Sequence, residues 1–141
     1  MLEKEFEKLY YKFRSNYCKN LFAQVNDGEG SLSAIESYCA EVIFLLDHPT
    51  VREFAEYVNI SLPNATYRIS NLIEKGFIRK IPSTKDRREY HLEVTDKFLD
   101  SYGVNATFNN RLMQQIKQRF SSEEVALLED MMRKIVDEIM I

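Results

Sequence analysis

The sequence has only two cysteines, Cys18 and Cys39, and only two histidines, His48 and His91. Two cysteines are too few for a disulfide scaffold, and they do not form the C-x-x-C or cysteine and histidine spacing of a zinc site. Neither histidine has a partner at the spacing with which a helix presents metal ligands. The sequence therefore predicts no metal site and no cofactor.

Long apolar runs and the usual signatures of catalysis are also absent. No segment approaches the roughly 18 uninterrupted apolar residues of a membrane span, and the N-terminus lacks the pattern of a signal peptide. There is no glycine-rich phosphate loop, no G-x-S-x-G elbow, and no histidine placed to serve a serine or cysteine nucleophile. We therefore expect a cytoplasmic protein that has no membrane partner and is not an enzyme.

The chain does have enough apolar sequence for one good core, since 45% of its 141 residues are hydrophobic, and this length favours a single domain. Its net charge of −3 taken alone argues against nucleic-acid binding. The charge is unevenly distributed, however. Residues 61–95 contain seven basic and four acidic side chains, a net +3, so the remainder carries −6. A basic surface on an acidic body concentrates the attraction for phosphate in one region.

Two short helical patterns lie next to each other in the middle of the chain. Thr50 and Glu53 form a capping box that opens the first helix, and Asn59 can end it in the left-handed conformation. Ser61 caps the second helix, which ends at Gly76. Two helices joined by a turn of about three residues have the spacing of a helix-turn-helix.

The second of these helices, which we call the recognition helix, has one narrow apolar face with residues at spacings of three and four. Its other face has no carboxylate before Glu74, whereas a merely solvated face usually mixes glutamate with lysine. Amides, a tyrosine and a guanidinium are groups that read base edges in a major groove. We predict base contacts from Asn64, Tyr67, Arg68 and Asn71, and phosphate contacts from Ser61 and Thr66.

The segment after Gly76 predicts a β-hairpin. Residues 77–81 and 90–94 form two short strands around a polar tip that runs from Pro82 to Arg88. A helix-turn-helix followed by a hairpin is a winged helix. Narrow A·T-rich minor grooves attract arginine, so we predict that Arg87 enters the minor groove. The other predicted DNA contacts of the wing are Lys85 and Arg88.

These segments resemble the MarR family of bacterial transcription regulators. The resemblance rests on LIEKGFIRK at the end of the recognition helix, STKDRREY in the wing and EVT after it, and it extends from about Ser31 to Phe98. Its most specific element is the Asp-Arg-Arg of residues 86–88, which implies that Asp86 orients a neighbouring arginine by a charge-assisted bond. The chain departs from the family at Phe98, near which the family often has a glycine.

Helical patterns with long apolar stripes flank this core on both sides. The first runs from about Glu3 to Val25, and the last begins at a capping box formed by Ser121 and Glu124. The apolar residues of the last helix step by three and four, as in a short coiled coil. Since the winged-helix core has its own helices to cover it, these stripes are best buried against a second subunit. The resemblance also implies a two-fold dimer, in which the first and the last two helices intertwine.

Local signals place the remaining boundaries. Residues 26–30 form the one obvious loop, and Ser33 with Glu36 makes another capping box. That box opens a helix whose predicted buried face consists of Ile35, Tyr38, Cys39, Val42 and Leu46. After the wing, Thr95 is expected to cap a helix, and Gly103 to kink or interrupt it.

The sequence thus predicts a mainly α-helical fold with a small β-hairpin wing. A winged helix-turn-helix core over residues 32–95 and dimerisation helices over residues 1–26 and 96–141 would form a single domain spanning residues 1–141. The predicted function is sequence-specific binding of double-stranded DNA by a homodimeric transcription regulator, a repressor, on a pseudo-palindromic operator.

Regulation follows from the resemblance, which implies a ligand cleft between the DNA-binding part and the dimerisation helices. Tyr10, Phe13, Tyr17 and Tyr38 are candidates to line this cleft for a small aromatic or amphipathic effector, although such aromatic stripes are more often plain core. Two alternatives stay open. Cys18 makes the chain similar to the peroxide-sensing branch of the family, which has a reactive cysteine near tyrosines in its first helix. The other alternative is a winged-helix module that binds proteins and no DNA.

Overall fold

The structure is a computed structural model that describes residues 1–25, 32–86, 88–102 and 104–140, with side chains except those of residues 21–25, 101, 102 and 104–106. It is mainly helical with one two-stranded antiparallel sheet, which confirms the predicted fold class. None of the helices in these ranges is both long and apolar enough to span a membrane. The helices are α1 (Leu2–Val25), α2 (Ala34–Leu46), α3 (Val51–Val58), α4 (Leu62–Glu74), α5 (Asp96–Tyr102), α6 (Val104–Arg119) and α7 (Ser122–Lys134), and the strands are β1 (Ile78–Pro82) and β2 (Tyr90–Val94).

The chain divides into two compact units, Met1–Val104 and Asn105–Ile141. The first unit contains the helix-turn-helix, which is α3 and the recognition helix α4, together with the hairpin and the buried core. The core is formed where α2, α3, α4, both strands and α5 contribute apolar side chains. Its members are Leu32, Cys39, Ala40, Ile43, Phe54, Ala55, Ala65, Ile69, Leu72, Phe77, Ile78, Leu92 and Phe98.

Capping boxes set the starts of α2 and α7, as predicted. The Ser33 hydroxyl accepts the N–H of Glu36 at 3.2 Å, and the Glu36 carboxylate accepts the N–H of Ser33 at 3.1 Å. Ser121 and Glu124 exchange the same two bonds at the start of α7. These bonds satisfy N–H groups that have no partner within the helix.

The predicted capping box of α3 is only half formed. Thr50 accepts the N–H of Glu53 at 3.1 Å, but the Glu53 carboxylate contacts the Thr50 hydroxyl and not its N–H. The backbone of Thr50 forms an isolated antiparallel bridge with His91 of β2 instead. The start of the helix-turn-helix is therefore joined directly to the wing.

The ends of both helices in the helix-turn-helix match the prediction. Asn59 ends α3 with a φ of 56°, and Ser61 caps α4 by accepting the N–H of Asn64 at 3.3 Å. Gly76, with a φ of 83°, follows α4, and Phe77 donates its N–H to Leu72 O at 3.0 Å. This is the bond that a left-handed glycine allows at a helix C-terminus.

Two predicted positions in the hairpin and α5 are wrong. Pro82 belongs to β1 and not to the tip, since it pairs with Tyr90 at the end of the ladder, where a missing N–H is tolerated. Thr95 does not cap α5 with its side chain. Its hydroxyl donates to Gly76 O at 2.6 Å, and the Lys97 ammonium donates to Lys75 O at 2.6 Å. Both bonds tie α5 to the carbonyls that follow the recognition helix.

The predicted buried face of α2 is partly wrong. Cys39 is buried and Val42 packs against the core, but Ile35 and Tyr38 are exposed. Almost every side of α2 is apolar, so periodicity did not select the face that the core takes. That face consists of Ser37, Cys39, Ala40 and Ile43.

One ion pair connects α2 with the end of the recognition helix. Lys75 Nζ lies 2.8 Å from Glu36 Oε1, and 33% of the lysine side chain and 14% of the glutamate side chain are exposed. Burial raises the pKa of Glu36, but the hydrogen bonds from Lys75 and Ser33 outweigh it and lower the pKa below its usual value. The pair therefore holds a charged carboxylate at the edge of the core.

The second unit consists of helices whose apolar residues stay accessible. No residue of α7 is buried, and a π-helical turn, Ile135–Ile139, follows it. The π-helical turn changes the register of the predicted coiled-coil stripe at Ile135 and Ile139, because a π-helix has more residues per turn than an α-helix. The predicted loop at residues 26–30 and the predicted kink at Gly103 lie outside the described residues.

Candidate nucleic-acid interface

The recognition helix is fixed to the core along one side. Ala65, Ile69 and Leu72 are buried, so this face of α4 cannot turn towards solvent without opening the core. Residues at the other positions of the helix are exposed or half-buried. The core thus determines which side chains α4 presents.

Asn64 and Tyr67 form the exposed part of the predicted reading face. The Tyr67 side chain is 68% exposed, and within the described residues neither side chain makes a hydrogen bond or ring contact. Thr66 is also exposed, but its hydroxyl already donates to Leu62 O at 2.9 Å. Ser61 uses its hydroxyl in the N-cap. The groups best placed to bind an external partner are therefore those of Asn64 and Tyr67.

Arg68 and Asn71 are half-buried, unlike Asn64 and Tyr67. Arg68 lies at the edge of a cavity of about 220 Å³, whose lining also includes Tyr38 and Cys39. Burial raises the pKa of the Cys39 thiol, and the nearby Arg68 guanidinium partly opposes this. The structure thus places Arg68 between the reading face and the body of the DNA-binding unit.

The wing presents its basic residues on a short, well-bonded tip. Ser83 donates its N–H to Glu89 O at 3.2 Å, and Glu89 donates its N–H to Asp86 O at 3.1 Å. The Asp86 carboxylate accepts the N–H of Arg88 at 2.9 Å and its Nε at 3.4 Å. The Arg88 side chain is nevertheless 91% exposed. Asp86 therefore holds a neighbouring arginine in an open position.

Two other predicted residues of the wing differ in what can be said of them. Lys85 is exposed, and its N–H donates to the Ser83 hydroxyl at 3.2 Å. Arg87, the predicted minor-groove residue, lies outside the described residues.

The strands of the wing add basic groups that the sequence interpretation did not assign to the site. Lys80 Nζ lies 5.2 Å from the centroid of the Tyr90 ring, and Arg79 pairs with Glu93 across the hairpin. Both residues are exposed on β1. The excess of basic residues in this region was the available signal, but it does not show which of them face outward.

His48, in the turn between α2 and α3, is a further group that sequence reasoning missed. Its Nδ1 lies 2.7 Å from Asp47 Oδ1 and its Nε2 lies 2.9 Å from Glu93 Oε2. The hydrogen bonds to Asp47 and Glu93 raise the pKa of His48. Those from Arg79 and His48 lower the pKa of Glu93. No sequence signal joins two residues that lie 45 positions apart.

The four aromatic residues predicted to bind an effector fall into two groups. The Tyr17 and Tyr38 ring centroids are 6.4 Å apart, which joins α1 to α2. Burial, followed by the charge of Glu41, raises the pKa of Tyr17 to about 12. Tyr10 stacks on Phe6 instead, with the ring centroids 6.3 Å apart, and Phe13 remains 38% exposed.

The two cysteines differ in accessibility and are both free thiols. Cys18 is exposed on α1, whereas Cys39 is buried on α2 at the edge of the cavity beside Arg68. Within the described residues no group of histidine, cysteine and carboxylate side chains could hold a metal ion.

The chain matches one protein family model and several solved structures. The family model, described as the MarR family, matches residues 46–90. FabT from Streptococcus pneumoniae in complex with DNA is 21% identical, with a TM-score of 0.58 over 96% of this chain and 95% of that chain. A MepR mutant from a multidrug-resistant clinical isolate of S. aureus is 13% identical, with a TM-score of 0.64 over 99% and 97%. A mutant MarR from E. coli complexed with operator DNA is 17% identical, with a TM-score of 0.54 over 93% of each chain.

No curated protein matches the chain. The solved structures establish the fold, since their sequences are too different to carry more. The family match covers α3, the recognition helix and most of the wing. The matched segment and the shared fold together identify the chain as a winged helix-turn-helix protein of the MarR family.

Proposed function

We propose that the chain is a transcription regulator that binds double-stranded DNA sequence-specifically as a homodimer and acts as a repressor. The observation that carries this proposal is the exposed face of α4, where Asn64 and Tyr67 have no partner among the described residues. Side chains of these types read base edges, and the adjacent wing offers the exposed guanidinium of Arg88. FabT and the E. coli MarR mutant, which share the fold, are solved in complex with DNA.

The geometry of a two-fold dimer sets the form of the operator. The two recognition helices would enter successive major grooves about 34–36 Å apart, so the operator is a pseudo-palindrome. Asn64, Tyr67, Arg68 and Asn71 supply base contacts, and Ser61 and Thr66 lie nearer to phosphate. Lys85, Arg87 and Arg88 contact the backbone or the adjacent minor groove.

Exposed apolar side chains support the homodimer. On α1, Phe6 is 62% exposed, and in the second unit Ile139 is 71% exposed. Other exposed apolar residues of α7 and the π-helical turn are Leu127, Met131, Met132, Ile135 and Val136. A monomer rarely leaves so many large apolar groups in water, and a second copy of the chain supplies a matching surface. Such a regulator acts on bacterial DNA in the cytoplasm.

The test is DNA binding measured by fluorescence anisotropy on the region upstream of the protein's own gene. Asn64→Ala should weaken operator binding by about 1–3 kcal/mol and relax the preference at one position per half-site. Arg87→Ala should weaken binding to most sequences and reduce the salt dependence by about one phosphate contact per subunit.

A matched control is Lys8→Ala, which removes a cation of α1 that pairs with Glu5 at 2.8 Å and lies outside the proposed interface. This variant should bind like the wild type. Wild-type affinity for both Asn64→Ala and Arg87→Ala would instead favour the protein-interaction module that binds no DNA.

We also propose that a small effector releases the DNA, and that the cavity beside Arg68 is its site. Within the described residues the Arg68 side chain has no hydrogen bond or ion pair, and the rest of the lining is mainly apolar. An amphipathic ligand with an acidic group fits this combination, because a half-buried cation gains most from a counter-charge. The other lining residues are Ile35, Tyr38, Cys39, Val42, Val58 and Ile60.

Cys39 provides a direct test because it lines this cavity and is buried. In a Cys18→Ser background, hexanoate should slow alkylation of Cys39 and release DNA, whereas the neutral hexanamide should do neither. Arg68→Gln should remove the protection. Equal protection by both ligands would show that Arg68 does not select an acid.

The exposed thiol of Cys18 favours one alternative, a regulator that responds to peroxide. Peroxide would then release DNA from the wild type and not from Cys18→Ser. An unchanged response in Cys18→Ser would exclude this alternative.

A further inference from the structure

The turn before α3 has an unusual backbone. Asp47 and His48 are adjacent residues with positive φ, 54° and 61° respectively, and neither is glycine. Each such residue carries a conformational cost that persists only where surrounding contacts maintain it. The buried Pro49 follows directly.

Contacts with β2 hold this turn in place. His91 Nδ1 lies 2.8 Å from His48 O, and Leu92 donates its N–H to Pro49 O at 2.8 Å. The His48 ring adds the third link, through Nε2 to Glu93. The strand that receives all three bonds is the second strand of the wing.

The ring of His48 is bonded in a way that only its charged form satisfies. Both nitrogens lie within hydrogen-bond distance of carboxylate oxygens, which are acceptors: Asp47 Oδ1 at 2.7 Å and Glu93 Oε2 at 2.9 Å. A neutral imidazole has one N–H donor and one lone pair, so one of the two contacts would set a lone pair against a carboxylate. The imidazolium donates to both.

Other charged groups near this ring favour the same form. A groove of about 730 Å³ between the turn, α3 and the wing is lined by the acidic Asp47, Glu53 and Glu89 and by the basic Arg52 and Lys85. His48 and His91 also line it, and Arg79 pairs with the second oxygen of Glu93. The carboxylates, with Glu93 included, outnumber the permanent cations that face the groove.

We propose that His48 is a positioning residue that, as an imidazolium, fixes the wing to the turn before the helix-turn-helix and thereby makes DNA binding proton-linked. The proposal rests on the proposed DNA-binding function. The hydrogen bonds to Asp47 and Glu93 hold the His48 pKa above its usual value. The link is therefore complete below about pH 6.5, the ordinary pKa of histidine, and is lost as the pH rises through the elevated pKa.

The first experiment follows the imidazole C–H resonances of the free protein by NMR between pH 5 and 9. The chain has only two histidines, so His48→Gln and His91→Gln assign both titration curves. The midpoint of His48 should lie above that of a histidine in the urea-unfolded chain. In Glu93→Gln it should fall towards that value, because a carboxylate partner is lost.

The second experiment measures DNA affinity by fluorescence anisotropy at constant ionic strength from pH 6 to 8.5. Wild-type binding should weaken about five- to tenfold across this range, as expected for a coupling to one proton. His48→Gln should bind with almost no pH dependence. His91→Gln is the matched control, and it should keep the wild-type dependence because the His48 ring contacts remain.

The outcomes separate this proposal from the proposed function. A His48 midpoint no higher than that of the unfolded chain, or an unchanged pH dependence in His48→Gln, overturns the proposal. If His48→Gln is poorly folded, Glu93→Gln provides the same comparison with the ring retained. A protein that binds no DNA at any pH refutes the proposed function and the DNA linkage with it, while the NMR titration still decides whether the link between turn and wing is protonated.

Discussion

The ion pair between Glu36 and Lys75 should stabilise the position of the recognition helix by a measurable amount. Lys75→Met removes the cation and leaves the Glu36 carboxylate, only 14% exposed, without its main counter-charge. Glu36→Gln removes the charge but keeps the shape of the side chain. The two variants and their double mutant form a cycle that isolates the pair from the other contacts of Lys75.

The expected magnitude lies between two limits. Exposed ion pairs contribute about 0.2–1 kcal/mol, and breaking a fully buried pair costs about 3–5 kcal/mol. Since one partner of this pair is mostly buried and the other is one-third exposed, we expect Lys75→Met to cost about 2 kcal/mol at pH 7. The coupling energy should be about 1–1.5 kcal/mol, because part of that cost is the carboxylate left behind.

The pH dependence provides an independent check. The folded state holds the Glu36 pKa below its ordinary value, so this contribution to stability is present above about pH 4.3. It is lost as the pH falls through the lowered pKa, where the carboxylate takes up a proton. The coupling energy should therefore shrink towards zero in acid.

Urea unfolding at one protomer concentration, followed by circular dichroism, measures all four proteins. The control is the exposed pair of Arg133 with Asp130 on α7, whose coupling should stay below about 0.5 kcal/mol. A Glu36–Lys75 coupling as small as this control, or one that persists in acid, would refute the reasoning.

Three further variants test the core, a backbone position and the reading face. Phe54→Ala should cost about 3–5 kcal/mol in urea unfolding, since Phe54 is fully buried in the core, and a loss below about 1 kcal/mol would show that the site collapses around the smaller side chain. Gly76→Ala should cost about 1 kcal/mol because of its φ of 83°, and not through a clash, since the added Cβ would lie 3.6 Å from Lys97 Cδ. Tyr67→Ala should weaken operator binding by about 1–3 kcal/mol in a gel shift and leave the melting temperature unchanged, and full operator affinity would place Tyr67 outside the interface.

The sequence predicted those parts of the fold that are set by short-range bonds. Ser33 and Ser121 each lie three residues before the glutamate with which they exchange hydrogen bonds, and Asn59 ends its helix alone. The helix-turn-helix is a sum of such local events, which is why its boundaries were predicted closely. The alternation of apolar residues in β1 and β2 likewise indicated a hairpin.

The sequence could not predict contacts between distant segments. The Thr95 hydroxyl was assigned to a cap because its neighbours suggest one, but the carbonyl of Gly76 lies nearer in space. The bond from His48 to Glu93 and the placement of Arg68 beside Cys39 depend on how α2, α4 and the wing pack. In α2 the apolar residues surround the helix, so only packing decided that Ile35 and Tyr38 stay exposed.

The bonds from Thr95 and Lys97 to the carbonyls of Gly76 and Lys75 give the recognition helix a mechanical connection. The N-terminal end of α4 is free to meet an external partner, whereas its C-terminal end is fastened to the first turn of α5. A torque applied to α5 must therefore act on the last turn of α4, with the buried Leu72 as the nearest fulcrum. A small rotation there is enlarged along the helix, and its greatest displacement falls on Asn64 and Tyr67.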